Sequence, residues 1–310
     1  MSTAHFYPVG TPGVPWGDPE RTAWRERQVR SRRYEDDVVS RVRALAGRFD
    51  VEQYGELNDG GDAYPLLALK SAPWHPALPV VLVTGGVHGY ETSGVLGALA
   101  FAEGPAAAYA GQVDLIVVPC VSPWAYERVC RWNYHAVDPN RNFGKSREAA
   151  ESSALIEYLA PHAGRFLLHI DLHETTDTDV TEFRLAKASR DGKPLEPETI
   201  PDGFYLVGDS ETSRLDFQEA IIQAVETVTH IAPADEHGKI IGFPVTTRGV
   251  IEFPVRESGL CASMTRARFS TTTEVYPDSA RTNPEECVAA QVMAVRAAID
   301  FALADLARSA

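Results

Sequence analysis

The apolar run Val80 to Val83, closed by Thr84 and the paired glycines Gly85-Gly86, does most to constrain how this chain can fold. Such a run ending at a turn predicts a short, buried strand. Beyond the turn stand Val87-His88-Gly89-Tyr90-Glu91, and the small-residue stretch Thr92 to Ala102 predicts a helix packed behind the strand. Positions three apart on a turn or helix start face the same way. His88 and Glu91 can therefore meet one ion, each ligand atom at roughly 2.0–2.2 Å. A second apolar segment, Arg165 to Leu172, predicts another central strand that ends in His173-Glu174. Two His and one Glu, with the fourth position left to water, is the catalytic pattern of zinc, and open α/β sheets place their sites at strand ends.

A polar loop follows the predicted strand Val113 to Val121 and reads Arg131-Trp132-Asn133-Tyr134-His135-Ala136-Val137-Asp138-Pro139-Asn140-Arg141-Asn142-Phe143. Taken together, Gly-x-His-x-x-Glu after a strand, Arg-x-Asn, Asp-x-Asn-Arg-Asn-Phe, then Asp171-Leu172-His173 and a late Glu274 resemble the zinc carboxypeptidase superfamily, including its succinylglutamate desuccinylase and aspartoacylase branch. The resemblance covers roughly residues 45 to 305. It implies a hydrolase holding one zinc ion on His88, Glu91 and His173. Glu274 would be the general base that takes the proton of the attacking water, and Arg131 would polarise the scissile carbonyl. Asn140 and Arg141 would hold a substrate carboxylate, a task suited to a planar guanidinium with two parallel donors. The implied substrate is a small peptide or an N-acyl amino acid with a free carboxylate. The first reading is carboxypeptidase-like. The alternatives are an N-acyl amino acid amidohydrolase or a non-catalytic relative that binds a metal or a carboxylate ligand.

Each role has a competitor. His169 shares a strand face with His173, whose place at the strand tip beside Glu174 favours it as the ligand. Asp171, on the same face, is expected to orient a ligand. Arg128 competes with Arg131, where the Arg-x-Asn spacing to Asn133 decides, and Glu252 in a late strand competes with Glu274. Ser122-Pro123 and Pro139 depart from the family's loop patterns. Between Gly249 and Thr273 there is no tyrosine to match the mobile one of the digestive enzymes, and Tyr276 reads as a packing residue. Arg184, Arg248, Arg256, Arg266 and Arg268 are candidates for reading an acidic substrate side chain. Gly208-Asp209-Ser210 lacks the Gly-x-Ser-x-Gly elbow of a serine hydrolase.

The expected fold class is α/β, a mixed, largely parallel sheet of about eight strands flanked by helices, near 50–55, 64–71, 79–84, 113–121, 165–172, 203–208, 250–255 and 271–276. Residues 1–48 read as a helical N-terminal extension packed on a catalytic domain spanning 49–310. At the other end, Asn283-Pro284-Glu285-Glu286 predicts a capped helix carrying Val288, Val292, Val295, Ile299, Leu303 and Leu306 over one sheet face. A formal net charge of −14 argues against nucleic acid and anionic membranes as partners, so any anion pocket must be local. The N-terminus lacks the pattern of a secretory signal, no run of 18 apolar residues occurs, and the four cysteines show no Cys-x-x-Cys spacing. A cytoplasmic enzyme with free thiols is the expectation; the oligomeric state is not legible.

Overall fold

The computed structural model describes residues 7–196 and 199–309. Ten strands form one sheet: β1 (Phe49–Asp59), β2 (Asp62–Ser71), β3 (Val80–Gly85), β4 (Asp114–Val118), β5 (Phe166–Glu174), β6 (Tyr205–Asp209), β7 (Lys239–Ile240), β8 (Phe243–Thr247), β9 (Val250–Phe253) and β10 (Phe269–Val275). Their spatial order is β1-β2-β4-β3-β5-β10-β6-β9-β8-β7. The central run β4-β3-β5-β10 is parallel, as is the pair β6/β9, whereas the remaining pairings are antiparallel. All eight expected strands are present. The two extra ones, β7 and β8, form a hairpin. It gave no apolar run because β7 has two residues and β8 reads Phe-Pro-Val-Thr-Thr.

Among the described residues, eight α-helices accompany the sheet: α1 (Asp18–Glu26), α2 (Ser40–Ala44), α3 (Thr92–Glu103), α4 (Pro123–Arg128), α5 (Ala150–Leu159), α6 (Arg184–Asp191), α7 (Leu215–Val225) and α8 (Pro284–Ser309). Helices α3, α7 and α8 pack together on one face of the sheet, with α8 against β5 and β10, while α5 lies on the other beside β1. Strand alternation then sorts the side chains. Leu168, Ile170 and Leu172 point into the core beneath α3 and α8, and His169, Asp171 and His173 point to the opposite face.

The α8 N-terminus forms as its sequence predicts, with Asn283 Oδ1 accepting from Glu286 N at 3.0 Å and Asn283 Nδ2 donating back to Glu286 Oε2 at 2.8 Å. Its buried seam is richer in alanine than the valine and leucine pattern suggested: Ala290, Gln291, Ala294, Val295, Ala298, Ile299 and Ala302. Small residues let α8 approach α3 closely. Although α8 is apolar and long enough to cross a membrane by composition, that seam is buried here.

The N-terminal residues contribute to the same apolar core. Trp24 lies 5.5 Å from Trp132 and 6.1 Å from Trp124, ring centre to ring centre, and Trp16 meets Trp132 edge-on at 6.0 Å. Trp16 N donates to Arg190 O at 2.9 Å, and Arg21 and Arg25 donate to the carbonyls of His135 and Tyr134 at 2.9 and 3.1 Å. This segment thus ties the 131–138 loop to α6.

Glycines set the distance between α3 and the strands. A Cβ on Gly94 would stand 2.4 Å from Leu172 O, and one on Gly85 would stand 2.4 Å from Gly94 O. Gly94→Ala should therefore push α3 off β5, at a cost of about 1–3 kcal/mol or more, read as a fall in urea midpoint. An unchanged midpoint would show that α3 moves freely.

Candidate metal centre

His88 leaves β3 on a loop pressed against α4. A Cβ on the neighbouring Gly89 would stand 1.9 Å from Ala125 C, so only glycine lets the loop lie there and present His88 inward. Glu91 ends the loop at the N-cap of α3, and His173 arrives from the tip of β5. All three side chains are buried, and their ligand atoms lie within 4.8 Å of one another.

The orientation of the imidazoles is informative. His88 Nε2 faces Asp138 Oδ1 at 3.0 Å, and His173 Nε2 faces Asp171 Oδ2 at 2.7 Å. Each carboxylate fixes the proton on Nε2 and turns the Nδ1 lone pair inward. There His88 Nδ1 lies 2.7 Å from Glu91 Oε1, and His173 Nδ1 lies 2.7 Å from Glu91 Oε2. Two lone pairs converging on a carboxylate need positive charge between them, either protons or a cation. Glu91 Oε2 is buried and makes no hydrogen bond of acceptable geometry. This donor set, two nitrogens and a carboxylate, fits a divalent ion such as zinc. Without one, His173 is held protonated: burial opposes its charge, but the carboxylates of Glu91 and Asp171 outweigh burial and raise its pKa.

Asp138 joins this centre to the polar loop. Its Oδ1 also accepts from Asn140 N at 2.9 Å, its Oδ2 accepts from Arg131 Nε at 3.2 Å, and its carbonyl accepts from Asn142 Nδ2 at 2.8 Å. Arg131 Nη1 donates to Tyr90 Oη at 2.8 Å, Tyr90 donates to Asp179 at 2.8 Å, and the guanidinium stacks 4.2 Å over Phe183. Asn140 is buried, with Oδ1 accepting from Cys261 N at 2.7 Å. Arg141 is open to solvent, its Nη1 donating to Asn140 O at 2.8 Å.

Glu274 pairs in register with His173 on the adjacent strand, and Thr175 Oγ1 donates to its Oε2 at 2.9 Å. Burial raises the Glu274 carboxyl to about 8, while positive charge at His173 acts the other way. His88, Glu91, His173, Arg131, Asn140, Arg141 and Glu274 all line one cleft of about 1320 Å³. The competitors lie elsewhere. His169 is held by Thr84, whose Oγ1 lies 3.1 Å from its Nε2 and donates to Asp171 Oδ1 at 2.6 Å. Arg128 lies 4.4 Å over the Trp124 ring, and Glu252 packs beneath α7 beside Gly208. Glu174 caps α3, accepting from Thr92 N and Ser93 N at 3.0 and 2.7 Å. Of the five arginines considered for an acidic side chain, only Arg184 lines the cleft.

Other contributors carried little sequence signal. Tyr90, Asp179 and Tyr205 surround the cleft through contacts that only the tertiary fold creates, and Pro15, Trp16 and Arg21 reach it from the N-terminal segment. Gln291 on α8 donates to His173 O at 2.8 Å, fixing the ligand strand from behind.

Residues 77–196 match the succinylglutamate desuccinylase/aspartoacylase catalytic-domain family. Among solved structures, a metallopeptidase candidate from Shewanella amazonensis SB2B superposes with a TM-score of 0.63 at 19% identity, over 86% of this chain and 91% of that one. A metallo-carboxypeptidase from Burkholderia cenocepacia gives 0.57 at 14%, over 94% and 70%. One from Pseudomonas aeruginosa, in complex with (2-guanidinoethylmercapto)succinic acid, gives 0.57 at 14%, over 86% and 69%. No curated protein matches in sequence. The chain has the zinc carboxypeptidase-like fold, as its motifs imply.

Two measurements test this geometry. Alanine at His88, Glu91 or His173 should abolish stoichiometric metal binding, and His169→Ala should retain it. Asp138→Ala and Asp171→Ala should weaken affinity by roughly 10- to 100-fold; metal titration that ranked His169 above His173 would reassign the ligand. Glu151, beneath the loop, accepts from Asn133 Nδ2 and Ser122 Oγ, each at 3.3 Å, and burial raises it to about 7. A carboxyl raised in the folded state favours folding below its unfolded pKa, near 4.3, and loses that contribution as pH rises through about 7. Glu151→Gln should thus raise Tm relative to the parent at pH 8 more than at pH 5, and the reverse order would refute the buried-acid account.

Proposed function

We propose that this chain is a zinc-dependent hydrolase that cleaves a peptide or amide bond next to a free carboxylate. The reading is carried by the inward Nδ1 atoms of His88 and His173 around Glu91, in one cleft with Glu274, Arg131 and Arg141. The catalytic-domain match supports hydrolysis, and a fold neighbour that holds a substituted succinic acid supports carboxylate recognition.

His88, Glu91 and His173 would hold the ion, which when bound supplies Lewis acidity that activates water and polarises the carbonyl. Every other task falls to side chains. Glu274, oriented by Thr175, takes a proton from the attacking water at its carboxylate and returns it to the leaving amine. Arg131 is held on three sides by Asp138, Tyr90 and Phe183, so its charge stands ready for the oxyanion without reorganising. Arg141, free to reach into the cleft, pairs with the substrate carboxylate, and the buried Asn140 shapes its approach from the same turn.

A second reading, deacylation of N-acyl amino acids, is favoured by the family matched at residues 77–196 and by the lack of a tyrosine between Gly249 and Thr273. Both reactions present the same carboxylate to Arg141. A screen of the zinc-loaded protein on peptides and N-acyl amino acids separates them.

Glu274→Gln should keep fold and zinc while lowering kcat by about 10²–10⁴; full activity would move the base elsewhere. Arg141→Ala should mainly raise KM and Arg131→Ala mainly depress kcat. Amidating the substrate carboxylate should mimic the Arg141 change. Equal cleavage of free and amidated substrates would remove the carboxylate from recognition.

A further inference from the structure

Gln291 stands fully buried among the alanines of the α8 seam. A primary amide in such surroundings is costly to desolvate unless its polar atoms are used. Here Nε2 donates to His173 O at 2.8 Å and to Ser93 Oγ at 3.3 Å, and Oε1 accepts from Thr273 Oγ1 at 2.5 Å. Because the His173 carbonyl can only accept, the amide has one orientation that satisfies all three partners.

Each partner adjoins a residue of the site. His173 is itself a candidate ligand, Thr273 precedes Glu274, and Ser93 stands two residues beyond Glu91. Leu172 pairs with Thr273 and His173 with Glu274 across β5 and β10, so the first pair faces α8 and the second faces the cleft. Gln291 therefore grips, from behind the sheet, the two strand tips that present the ligand and the base. The start of α3 is brought within its reach by Gly97, where a Cβ would stand 2.5 Å from Gln291 Cβ. Glycine at 97 and glutamine at 291 are a matched pair: the missing side chain on α3 makes room for the amide on α8.

We propose that Gln291 is a positioning residue, whose one amide sets the spacing of His173, Glu274 and Glu91. It acts across the sheet from the cleft, away from substrate. The proposal rests on the hydrolase reading for the role of Glu274 and on the candidate ligand set for the other two. An apolar side chain of similar size would fill the same space at lower desolvation cost. It would also leave the β5 carbonyl, the β10 hydroxyl and the α3 hydroxyl without their common partner, and the three elements could then slide past one another. Misplacing a reacting group by about 1 Å can cost on the order of 10²-fold in rate, and groups that orient a metal ligand are worth roughly 10- to 100-fold in affinity.

The test uses the full-length protein. Gln291→Leu should raise the zinc dissociation constant by roughly 10-fold or more in chelator competition, and should change the visible absorption of the cobalt(II)-loaded form. Thr273→Val, which releases only the β10 side, should lower kcat by on the order of 10-fold with zinc affinity at the parental value. Since both substitutions cut the same hydrogen bond, adding Thr273→Val to Gln291→Leu should cost less in kcat than it does alone. Val295→Ala, one turn further along the same seam, should lower Tm and leave zinc affinity, the cobalt spectrum and kcat at parental values. A Gln291→Leu protein with lowered Tm but parental zinc affinity and cobalt spectrum would overturn the proposal, reducing Gln291 to a packing residue. If Gln291→Leu does not fold, Thr273→Val decides: parental kcat overturns the proposal, and a fall in kcat at unchanged zinc affinity supports it. Weakened zinc binding by Gln291→Leu in a protein that cleaves no substrate would keep the positioning of the ligands and remove the hydrolase reading.

Discussion

Asp138 holds together parts of the site that the chain supplies from different elements. One oxygen fixes the His88 proton and the turn at Asn140, and the other fixes Arg131. Burial pushes this carboxylate upward, but the Arg131 guanidinium and the His88 contact outweigh it and hold it well below its usual range. A buried carboxylate survives in the core only when paired and fully hydrogen-bonded. The site is thus interlocked. Removing Asp138 would free the His88 tautomer, the Arg131 side chain and the Asn140-Arg141 turn at once. Pro139 suits this arrangement, because its fixed φ starts the short helical turn whose N-cap is Asp138.

The same logic is repeated at His173. Asp171 orients the ring, Thr84 anchors Asp171, and His169 lies behind Thr84 in a buried polar chain. Burial lowers His169 to about 4, and its Nε2 lies 3.1 Å from the Thr84 hydroxyl, whose own proton goes to Asp171. Two histidines on one strand face therefore have distinct work, one at the cleft and one in the core. Gln291 completes the support by binding the His173 carbonyl from α8.

The parts that were legible in sequence are those written in local pattern. Val80 to Val83 with its glycine turn located β3, and three-residue spacing placed His88 and Glu91 on one side of a loop. Glu252 competes with Glu274 in sequence, and only the structure separates them, with Ile251 and Phe253 facing the cleft in place of Glu252. What sequence could not show depends on distant partners. The β7–β8 hairpin exists through its pairing with β9, the alanine seam of α8 reflects close approach to α3, and Tyr90 gains meaning only from Asp179 and Arg131. Trp16 reads locally as an isolated aromatic; its partners, Trp132 and Ser189, are more than a hundred residues away.

The N-terminal segment bears on how this protein can change over time. Its tryptophans cover Trp124 and Trp132, and its arginines hold carbonyls in the loop that carries Arg131 and Asp138. A relative could not exchange that loop alone, since a new loop must still fit the indoles of Trp16 and Trp24. Nor could the segment drift independently. Residues 7–27 and 131–138 thus pack as one unit, although about a hundred residues of sequence separate them.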